Sequence, residues 1–278
     1  MSEKRRTAHR GEVLGTERIT PHMIRVTLGG AGLSAFDCGD FTDHYVKLLF
    51  PRPGVSYPEP FDMARIRAEL PSDQWPVTRT YTVRSWDADR RRLAIDFVYH
   101  GDRGLAGPWA ASVRPGEEIL FMGPGGAYAP DAEADWHLLA GDESALPAIA
   151  TGLERIGAGV PAYAFVEVAG PDEEQLLSTQ AKAEIVWVHR GDRTPGEALA
   201  EAVRGFAFPA GQLHAFVHGE AAMVKDLRRF LRVDKDIPMS RLSISGYWRI
   251  GRDEDGWQSS KRDWNRQVEE EEAAALSA

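Results

Sequence analysis

The residues with the clearest chemical potential form the segment Arg79-Thr80-Tyr81-Thr82, which lies between two stretches typical of β-strands. A guanidinium binds phosphate through paired hydrogen bonds, and a phenol ring packs on a planar heterocycle. A threonine hydroxyl can bond a ring edge or a ribityl oxygen. On a strand, Arg79 and Tyr81 point to one face and Thr82 to the other. The segment predicts a site for a flat phosphorylated cofactor. Its alternative interpretation is an ordinary amphipathic strand.

A strand, a glycine-rich turn and a helix start follow this segment. On the strand, Asp96, Val98 and His100 share one face. Backbone N–H groups at a helix start bind pyrophosphate, so we expect the turn to line the same cofactor. The residues of the turn and helix start are Leu105, Ala106, Gly107, Pro108, Trp109 and Ala110. Two alternatives stay open, because His100 could be only a hydrogen-bonding residue at a strand end and Trp109 only a core residue.

After Ala134 short apolar runs alternate with helical stretches, which predicts a parallel sheet covered by helices on both faces. Ligands of such sheets bind beyond the carboxyl ends of the strands. The predicted ends are Gly141–Ser144, Glu167–Gly170, His189–Gly191 and His218–Glu220. No complete G-x-G-x-x-G occurs in this half, so a nicotinamide nucleotide is inferred from the sheet pattern and not from a fingerprint.

Two details refine the prediction for this edge. Asp142 or Ser144 is the expected N-cap of the first helix, and Pro147 fits only its first turn. Arg190 follows a strand and could meet a 2′-phosphate, which would favour NADPH over NADH. The alternative for Arg190 is a surface arginine.

A second glycine pattern, Gly30-Ala31-Gly32-Leu33-Ser34-Ala35, matches G-x-G-x-x-A and follows a strand. No helix of adequate length can follow, because Asp37-Cys38-Gly39-Asp40 breaks the segment. We interpret the pattern as a turn.

The composition excludes several classes of protein. The length of 278 residues suggests two ordinary domains, and the formal charge of −9 argues against a general nucleic-acid binder. Cys38 is the sole cysteine, which excludes an intramolecular disulfide, a CxxC zinc site and an all-cysteine iron–sulfur cluster. The histidines are scattered, so no metal site is expected.

No apolar run approaches the roughly 20 residues of a membrane span, and the basic start lacks the apolar run of a signal peptide. We expect a cytoplasmic monomer.

The elements that must position the first site are short strands. Many short strands separated by turn signals predict a small antiparallel barrel. The strand-like runs are Arg10–Ile19, Met23–Leu28, His44–Phe50, Arg79–Trp86, Arg92–Tyr99 and Glu117–Met122. The proline-bearing connection 51–77, with a short helix at about 63–70, has no assigned role. Gly123-Pro124-Gly125-Gly126 lacks the Lys-Ser/Thr of a phosphate loop and indicates a domain junction.

The second half ends with a strand at Leu242–Ile250 and a polar helix beyond Asp253. Trp257, Trp264 and Val268 give this helix a thin apolar stripe that we expect to pack on the body. The run Glu269–Glu272 is expected to be a solvated helix end.

Together, R-T-Y-T, H-G…G-P-W-A, G-D-E-S-A-L-P-A at 141–148 and G-Y-W-R at 246–249 resemble the siderophore-interacting protein family. These proteins are FAD-dependent ferric-siderophore reductases within the ferredoxin-reductase-like superfamily. The resemblance covers nearly the whole chain, with Ser144 in place of the family's threonine. It implies a six-stranded antiparallel FAD-binding β-barrel at 1–126. A parallel-sheet αβα domain that binds NAD(P)H would follow at 127–278, with a C-terminal helix.

The resemblance also implies roles for individual residues. FAD would contact the residues of the two first motifs and an aromatic side chain near the chain end, namely Arg79, Thr80, Tyr81, Thr82, Asp96, Val98, His100, Leu105, Ala106, Gly107, Pro108, Trp109, Ala110 and Trp248. NAD(P)H would contact Gly141, Asp142, Glu143, Ser144, Ala145, Arg190, Gly219 and Glu220. An acidic ferric chelate would be held by Lys47, Arg84, Tyr247 and Arg249.

In such a reductase, electrons pass from NAD(P)H through FAD to Fe(III) in a siderophore, and Fe(II) is released in the cytosol. The cofactor carries the chemistry, so no catalytic side chain is predicted. One alternative is a general flavin electron-transfer reductase linked to NAD(P)H or ferredoxin. Another is a non-catalytic siderophore-binding module. NADPH, NADH and ferredoxin all remain open as donors, and so does the type of siderophore, hydroxamate or catecholate.

Overall fold

The computed structural model describes residues 8–277, and the chain divides into two compact units, Met1–Ala127 and Tyr128–Ala278. No helix among the described residues is both long and apolar enough to cross a membrane.

Six antiparallel strands form a closed barrel in the first unit, in the order β1-β2-β5-β4-β3-β6. The strands are β1 His9–Thr20, β2 Met23–Gly29, β3 Tyr45–Phe50, β4 Val77–Asp87, β5 Arg92–Val98 and β6 Glu118–Gly125. Alternate side chains point inward, so Leu93, Ile95 and Phe97 of β5 are fully buried in the barrel core. The predicted antiparallel barrel is confirmed.

Strand β6 continues three residues beyond its predicted end at Met122, because Tyr45 of β3 pairs with Gly125. The pairing shifts register between Tyr45 and Lys47, where the cis peptide Gly123–Pro124 lies opposite. The glycine-rich segment is therefore part of the barrel wall up to Gly125. The G-x-G-x-x-A pattern lies in a single 3-10 turn, Ala31–Leu33, in agreement with its interpretation as a turn.

The connection 51–77 covers part of the outer barrel wall. It contains helix α1, Met63–Glu69, whose N-cap Asp62 accepts hydrogen bonds from two backbone N–H groups. Met63 and Ile66 are buried against Leu49 of β3 in a small apolar cluster. A second short helix, α2 Ala106–Ser112, follows β5.

The second unit is a five-stranded parallel sheet in the order β11-β10-β7-β8-β9. Its strands are β7 Trp136–Gly141, β8 Pro161–Val168, β9 Lys182–His189, β10 Leu213–Glu220 and β11 Leu242–Trp248. Its helices are α3 Leu146–Arg155, α4 Glu197–Gly205, α5 Ala221–Arg229 and α6 Glu254–Leu276. Leu138 belongs to one apolar cluster, with α4 and α5, and its neighbour Leu139 to another, with α3. The sheet thus has helices on both faces, as predicted.

The C-terminal helix α6 packs on this unit through its apolar stripe. Trp257 and Val268 are buried, and Trp264 packs against the cluster of α4 and α5. The expectation of a solvated end at Glu269–Glu272 is wrong for Glu272. Its carboxylate is bound by Arg228 at 2.5 Å and by Arg232 at 2.8 Å, and its side chain is mostly buried.

Candidate functional site

The R-T-Y-T segment lies in β4 beside β3. Arg79 is paired with Leu48 and Tyr81 with Val46, two fully buried residues, so both side chains lie on the inward face of the barrel wall. The Tyr81 ring lies 4.4 Å, centroid to centroid, from the Phe97 ring. Arg79 and Tyr81 are half-buried, and Arg79 Nη1 donates a 2.8 Å hydrogen bond to the carbonyl of Thr78.

The outward face of the same strand carries hydroxyls. Thr80 is paired with Lys47 and Thr82 with Tyr45. Thr82 is buried, whereas Lys47 is exposed. Arg84 lies at an irregularity in the pairing with β5 and is half-buried. The two residues of this unit that are predicted to bind the chelate, Lys47 and Arg84, therefore lie on neighbouring strands.

At the end of β5, Asp96 has a structural partner. Its two carboxylate oxygens accept hydrogen bonds from Arg25 of β2, at 2.6 Å from Nε and 2.8 Å from Nη2, and its side chain is 3% exposed. Both carboxylate oxygens of Asp96 are thus engaged by a residue of the neighbouring barrel strand. Val98 is half-buried, and His100 is exposed.

The turn between β5 and α2 contains two glycines in the left-handed region, Gly101 at φ 67° and Gly104 at φ 81°. Gly107 brings α2 close to the end of β5, since a Cβ there would lie 3.1 Å from the carbonyl oxygen of Val98. Ala106 and Ala110 are buried, while Leu105 and Pro108 are half-buried. The Trp109 ring lies 5.5 Å from the Phe97 ring and 5.9 Å from the Phe50 ring, centroid to centroid. Trp109 thus packs against the barrel core, as its alternative interpretation as a core residue predicts.

This side-chain set fits FAD. A guanidinium suits the pyrophosphate, and a half-buried phenol ring on the same strand face suits a planar ring. The glycines let the backbone of the turn approach a ligand without a Cβ in the way. Asp96 and Trp109 would support this wall through their contacts with Arg25 and Phe97.

At the carboxyl edge of the parallel sheet, Asp142 is a fully buried acceptor. It accepts hydrogen bonds from Ser144 N at 2.9 Å, Glu220 N at 2.8 Å and Trp248 Nε1 at 2.8 Å, and from the Ser144 hydroxyl. Burial, followed by the nearby charge of Glu143, raises the pKa of Asp142. Neither Asp142 nor Ser144 is the N-cap of α3, because Ala145 occupies that position; Pro147 lies in the first turn, as predicted.

Two glycines allow this edge to close tightly. A Cβ at Gly141 would lie 2.6 Å from the carbonyl oxygen of His218, and one at Gly219 would lie 2.6 Å from Asp142 Oδ2. Gly219 also has φ 137°, a conformation that favours glycine. Glu220 caps α5 by accepting hydrogen bonds from the N–H groups of Ala222 and Met223. Its other carboxylate oxygen accepts a 3.3 Å hydrogen bond from the N–H group of Ile250, just after β11.

Arg190 lies between two carboxylates. Its Nη2 is 3.0 Å from Glu143 Oε1, and its Nη1 is 3.4 Å from Glu167 Oε1. The alternative of a surface arginine is not what the structure shows, because the side chain is only 16% exposed. The sequence places Glu167 at a predicted strand end but gives no sign that it pairs with Arg190, and Arg25 is only a cation within a strand.

The last strand places the remaining predicted residues. The Tyr247 ring lies 4.9 Å from the His218 ring and packs against the apolar cluster of α3. Trp248 is half-buried over Asp142, and Arg249 is exposed. Tyr247 thus contributes to the core of the unit, whereas Arg249 is accessible from solvent.

Residues 8–277 contain no group of three or more metal-ligating side chains. Burial raises the pKa of the Cys38 thiol to about 12, with a further contribution from Asp37. The thiol is therefore protonated at neutral pH and is a poor nucleophile.

Two family models match the chain. The siderophore-interacting FAD-binding domain matches residues 12–128, and the siderophore-interacting protein model matches residues 134–251. An uncharacterized protein of Mycobacterium tuberculosis is 46% identical, over 96% of this chain and 98% of its own length. The ferric vibriobactin reductase ViuB of Vibrio cholerae is 31% identical over 87% and 90%. The NADPH-dependent ferric-chelate reductase of Escherichia coli is 30% identical over 85% and 91%.

Solved structures agree with these matches. A siderophore utilization protein from T. fusca is 37% identical and superposes with a TM-score of 0.78, over 90% of this chain and 95% of its own. A ferredoxin NADP+ reductase from Neisseria gonorrhoeae shares the fold, with 15% identity and a TM-score of 0.61, over 87% and 99%. By its two domain matches and its relatives, the chain belongs to the siderophore-interacting protein family of FAD-binding oxidoreductases.

Proposed function

We propose that this protein is a ferric-siderophore reductase that transfers electrons from NAD(P)H, through bound FAD, to Fe(III) in a siderophore. The reaction would take place in the cytosol and release Fe(II) there. The observation that carries the proposal is the segment Arg79–Thr82, with Arg79 and Tyr81 half-buried, within the barrel that matches a siderophore-interacting FAD-binding domain. The names of two relatives, a ferric vibriobactin reductase and a ferric-chelate reductase, support the choice of substrate.

In the first unit, residues 1–126 are proposed to hold FAD. Arg79 would bind the pyrophosphate, Tyr81 would pack on the ring system, and Thr80 or Thr82 would bond polar ring atoms or the ribityl chain. The turn at 101–107 would supply backbone N–H groups. When bound, FAD supplies an acceptor for hydride and a donor of single electrons, which the side chains of this protein do not provide.

In the second unit, residues 127–278 are proposed to hold the nicotinamide nucleotide at the carboxyl edge of the sheet. Gly141 and Gly219 let the ends of β7 and β10 pack closely there. The Ser144 hydroxyl, which donates to Asp142, can still accept a hydrogen bond from a ligand. Asp142 holds the turn after β7 in place, and Glu220 holds the start of α5. These contacts prepare the edge for a ligand.

The ferric chelate is proposed to bind near basic side chains. Lys47 and Arg249 are exposed, and Arg84 is half-buried. Each of these cations would attract an acidic chelate through its own local charge, even though the whole protein carries a formal charge of −9.

The test is an anaerobic absorbance titration of the purified protein. A flavin band should be present, should bleach when NADPH or NADH is added, and should recover when a ferric siderophore is added, with Fe(II) trapped by a chromogenic chelator. A flavin band that neither nucleotide bleaches would indicate ferredoxin as the donor. A protein without flavin, even after incubation with FAD, would contradict the Arg79–Thr82 site and leave a siderophore-binding module.

The substrate site has its own test in Arg249→Ala. Loss of the cation should raise the KM for the ferric chelate roughly tenfold, with nucleotide-dependent bleaching unchanged. Exposed Arg262→Ala is the charge-matched control. An unchanged KM in Arg249→Ala would show that Arg249 does not bind the ferric chelate.

A further inference from the structure

The side chain of Arg190 is held in a two-sided ion pair at the carboxyl edge of the sheet. Glu143 engages two of its nitrogens, at 3.0 Å from Nη2 and 3.2 Å from Nη1, in the paired geometry that a guanidinium also uses for phosphate. Glu167 also accepts from Nη1, at 3.4 Å. The side chains of Glu143 and Glu167 are 11% and 0% exposed.

The position of this group bears on nucleotide choice. Glu143 follows β7, Glu167 lies in β8 and Arg190 follows β9, so the three residues come from three adjacent strands. In doubly wound sheets an acidic residue in this region binds the ribose 2′-hydroxyl of NAD, whereas a nearby arginine accommodates the 2′-phosphate of NADP. This protein has both residue types there, already bound to each other.

Glu167 is fixed in its position. It accepts hydrogen bonds from Gly196 N at 2.8 Å and from Leu199 N at 3.3 Å, at the start of α4. Gly196 packs closely against Met223, since a Cβ on Gly196 would lie only 2.4 Å from Met223 Cβ. Its φ of 90° is also a conformation that favours glycine. Gly196 therefore has little room to move. Glu167 therefore cannot swing away to leave Arg190 to another anion.

Resting on the proposed function of this edge, we propose that Glu143, Arg190 and Glu167 form a specificity site that selects NADH over NADPH. One guanidinium and two carboxylates give a net charge of −1 when all three are ionised. A 2′-phosphate would have to displace Glu143 from Arg190 and remain near both carboxylates. A 2′-hydroxyl adds no charge and can donate a hydrogen bond to a carboxylate. The expectation from an arginine alone, which favours NADPH, is reversed by its partners.

The experiment measures binding by calorimetric titration of the FAD-loaded protein at pH 8. The probes are NAD+ and NADP+, and AMP and 2′-phospho-AMP as fragments. We expect the forms without the 2′-phosphate to bind at least about tenfold more tightly, from charge repulsion in a half-buried site.

Glu143→Gln tests the cause. It removes one negative charge and frees one side of Arg190, so the affinity for NADP+ should rise about tenfold while that for NAD+ changes little. Glu201→Gln is the matched control, since Glu201 forms a 2.7 Å ion pair with Arg193 in the same unit but its side chain is 69% exposed. Urea unfolding midpoints of both variants verify that they are folded.

The outcomes separate the two proposals. If NADP+ binds as tightly as NAD+ or more tightly, the specificity site is wrong and the proposed reductase stands. The same holds if Glu143→Gln, folded, leaves the ratio of affinities unchanged. If no nucleotide binds, the nicotinamide part of the proposed function fails, and the specificity site fails with it.

Discussion

The indole N–H of Trp248 donates a 2.8 Å hydrogen bond to Oδ2 of Asp142, the same oxygen that accepts from the backbone N–H of Glu220. Asp142 is 1% exposed, and it links the turn after β7 to the ends of β10 and β11. The carboxyl ends of three neighbouring strands are thereby held through one buried carboxylate.

Substitutions of this pair should have unequal effects. Trp248→Phe removes one donor and should lower the free energy of unfolding by about 1 kcal/mol. Asp142→Asn places an amide NH2 group against N–H donors and should cost about 2–3 kcal/mol. Urea unfolding followed by circular dichroism measures both. Equal losses in the two variants would show that Asp142 acts only through Trp248.

Arg79→Ala should weaken FAD binding. Loss of a half-buried guanidinium removes charge-assisted hydrogen bonds to phosphate, so we expect the Kd for FAD to rise by about ten- to hundredfold. The measurement is quenching of flavin fluorescence as FAD is added to the apoprotein. Exposed Arg92→Ala, in the adjacent strand β5, is the control with the same charge change. Equal affinities in the two variants would place the pyrophosphate elsewhere.

Glu272→Ala and Glu269→Ala should differ although both remove a carboxylate from α6. Glu272 is bound by Arg228 and Arg232 and is mostly buried, so its loss should cost about 1–3 kcal/mol of unfolding free energy. Glu269 is exposed, and its loss should cost less than about 0.5 kcal/mol. Thermal unfolding at one ionic strength compares them. A smaller loss in Glu272→Ala than in Glu269→Ala would contradict the packing of α6.

His218 should make stability depend on pH. Burial, with a smaller contribution from the charge of Lys261, lowers the pKa of His218 from 6.5 to about 3. The folded state thus binds a proton less readily than the unfolded chain. Its contribution is fully present above about pH 6.5 and is lost progressively as the pH falls toward 3.

At pH 5 the loss should reach about 2 kcal/mol relative to pH 8, and His218→Gln should abolish that part of the dependence. Urea unfolding at pH 8, 6 and 5 measures it, with exposed His189→Gln as control. Burial also lowers the pKa of His137, to about 4. His137 therefore adds a similar pH dependence of stability to the unsubstituted protein and to both variants. The same pH dependence in His218→Gln as in the unsubstituted protein would assign the effect elsewhere.

The sequence was sufficient to predict the barrel, the parallel sheet and the strands that carry both candidate sites, because period-two and helical patterns are local. The partners of site residues could not be predicted in this way. Asp96 meets Arg25 only because β2 and β5 pair in one register, and Arg190 meets Glu143 only because β7 and β9 flank β8. The predicted N-cap of α3 was wrong for the same reason. Asp142 accepts hydrogen bonds from Trp248 and Glu220, which come from distant parts of the chain.

Three carboxylates at the carboxyl edge of the sheet, Asp142, Glu167 and Glu220, already accept backbone N–H groups from the turns and helix starts around them. These segments lose their conformational freedom when the chain folds, not when a ligand arrives. Most of the affinity for a nucleotide would then depend on new contacts, with little loss of chain entropy to offset them.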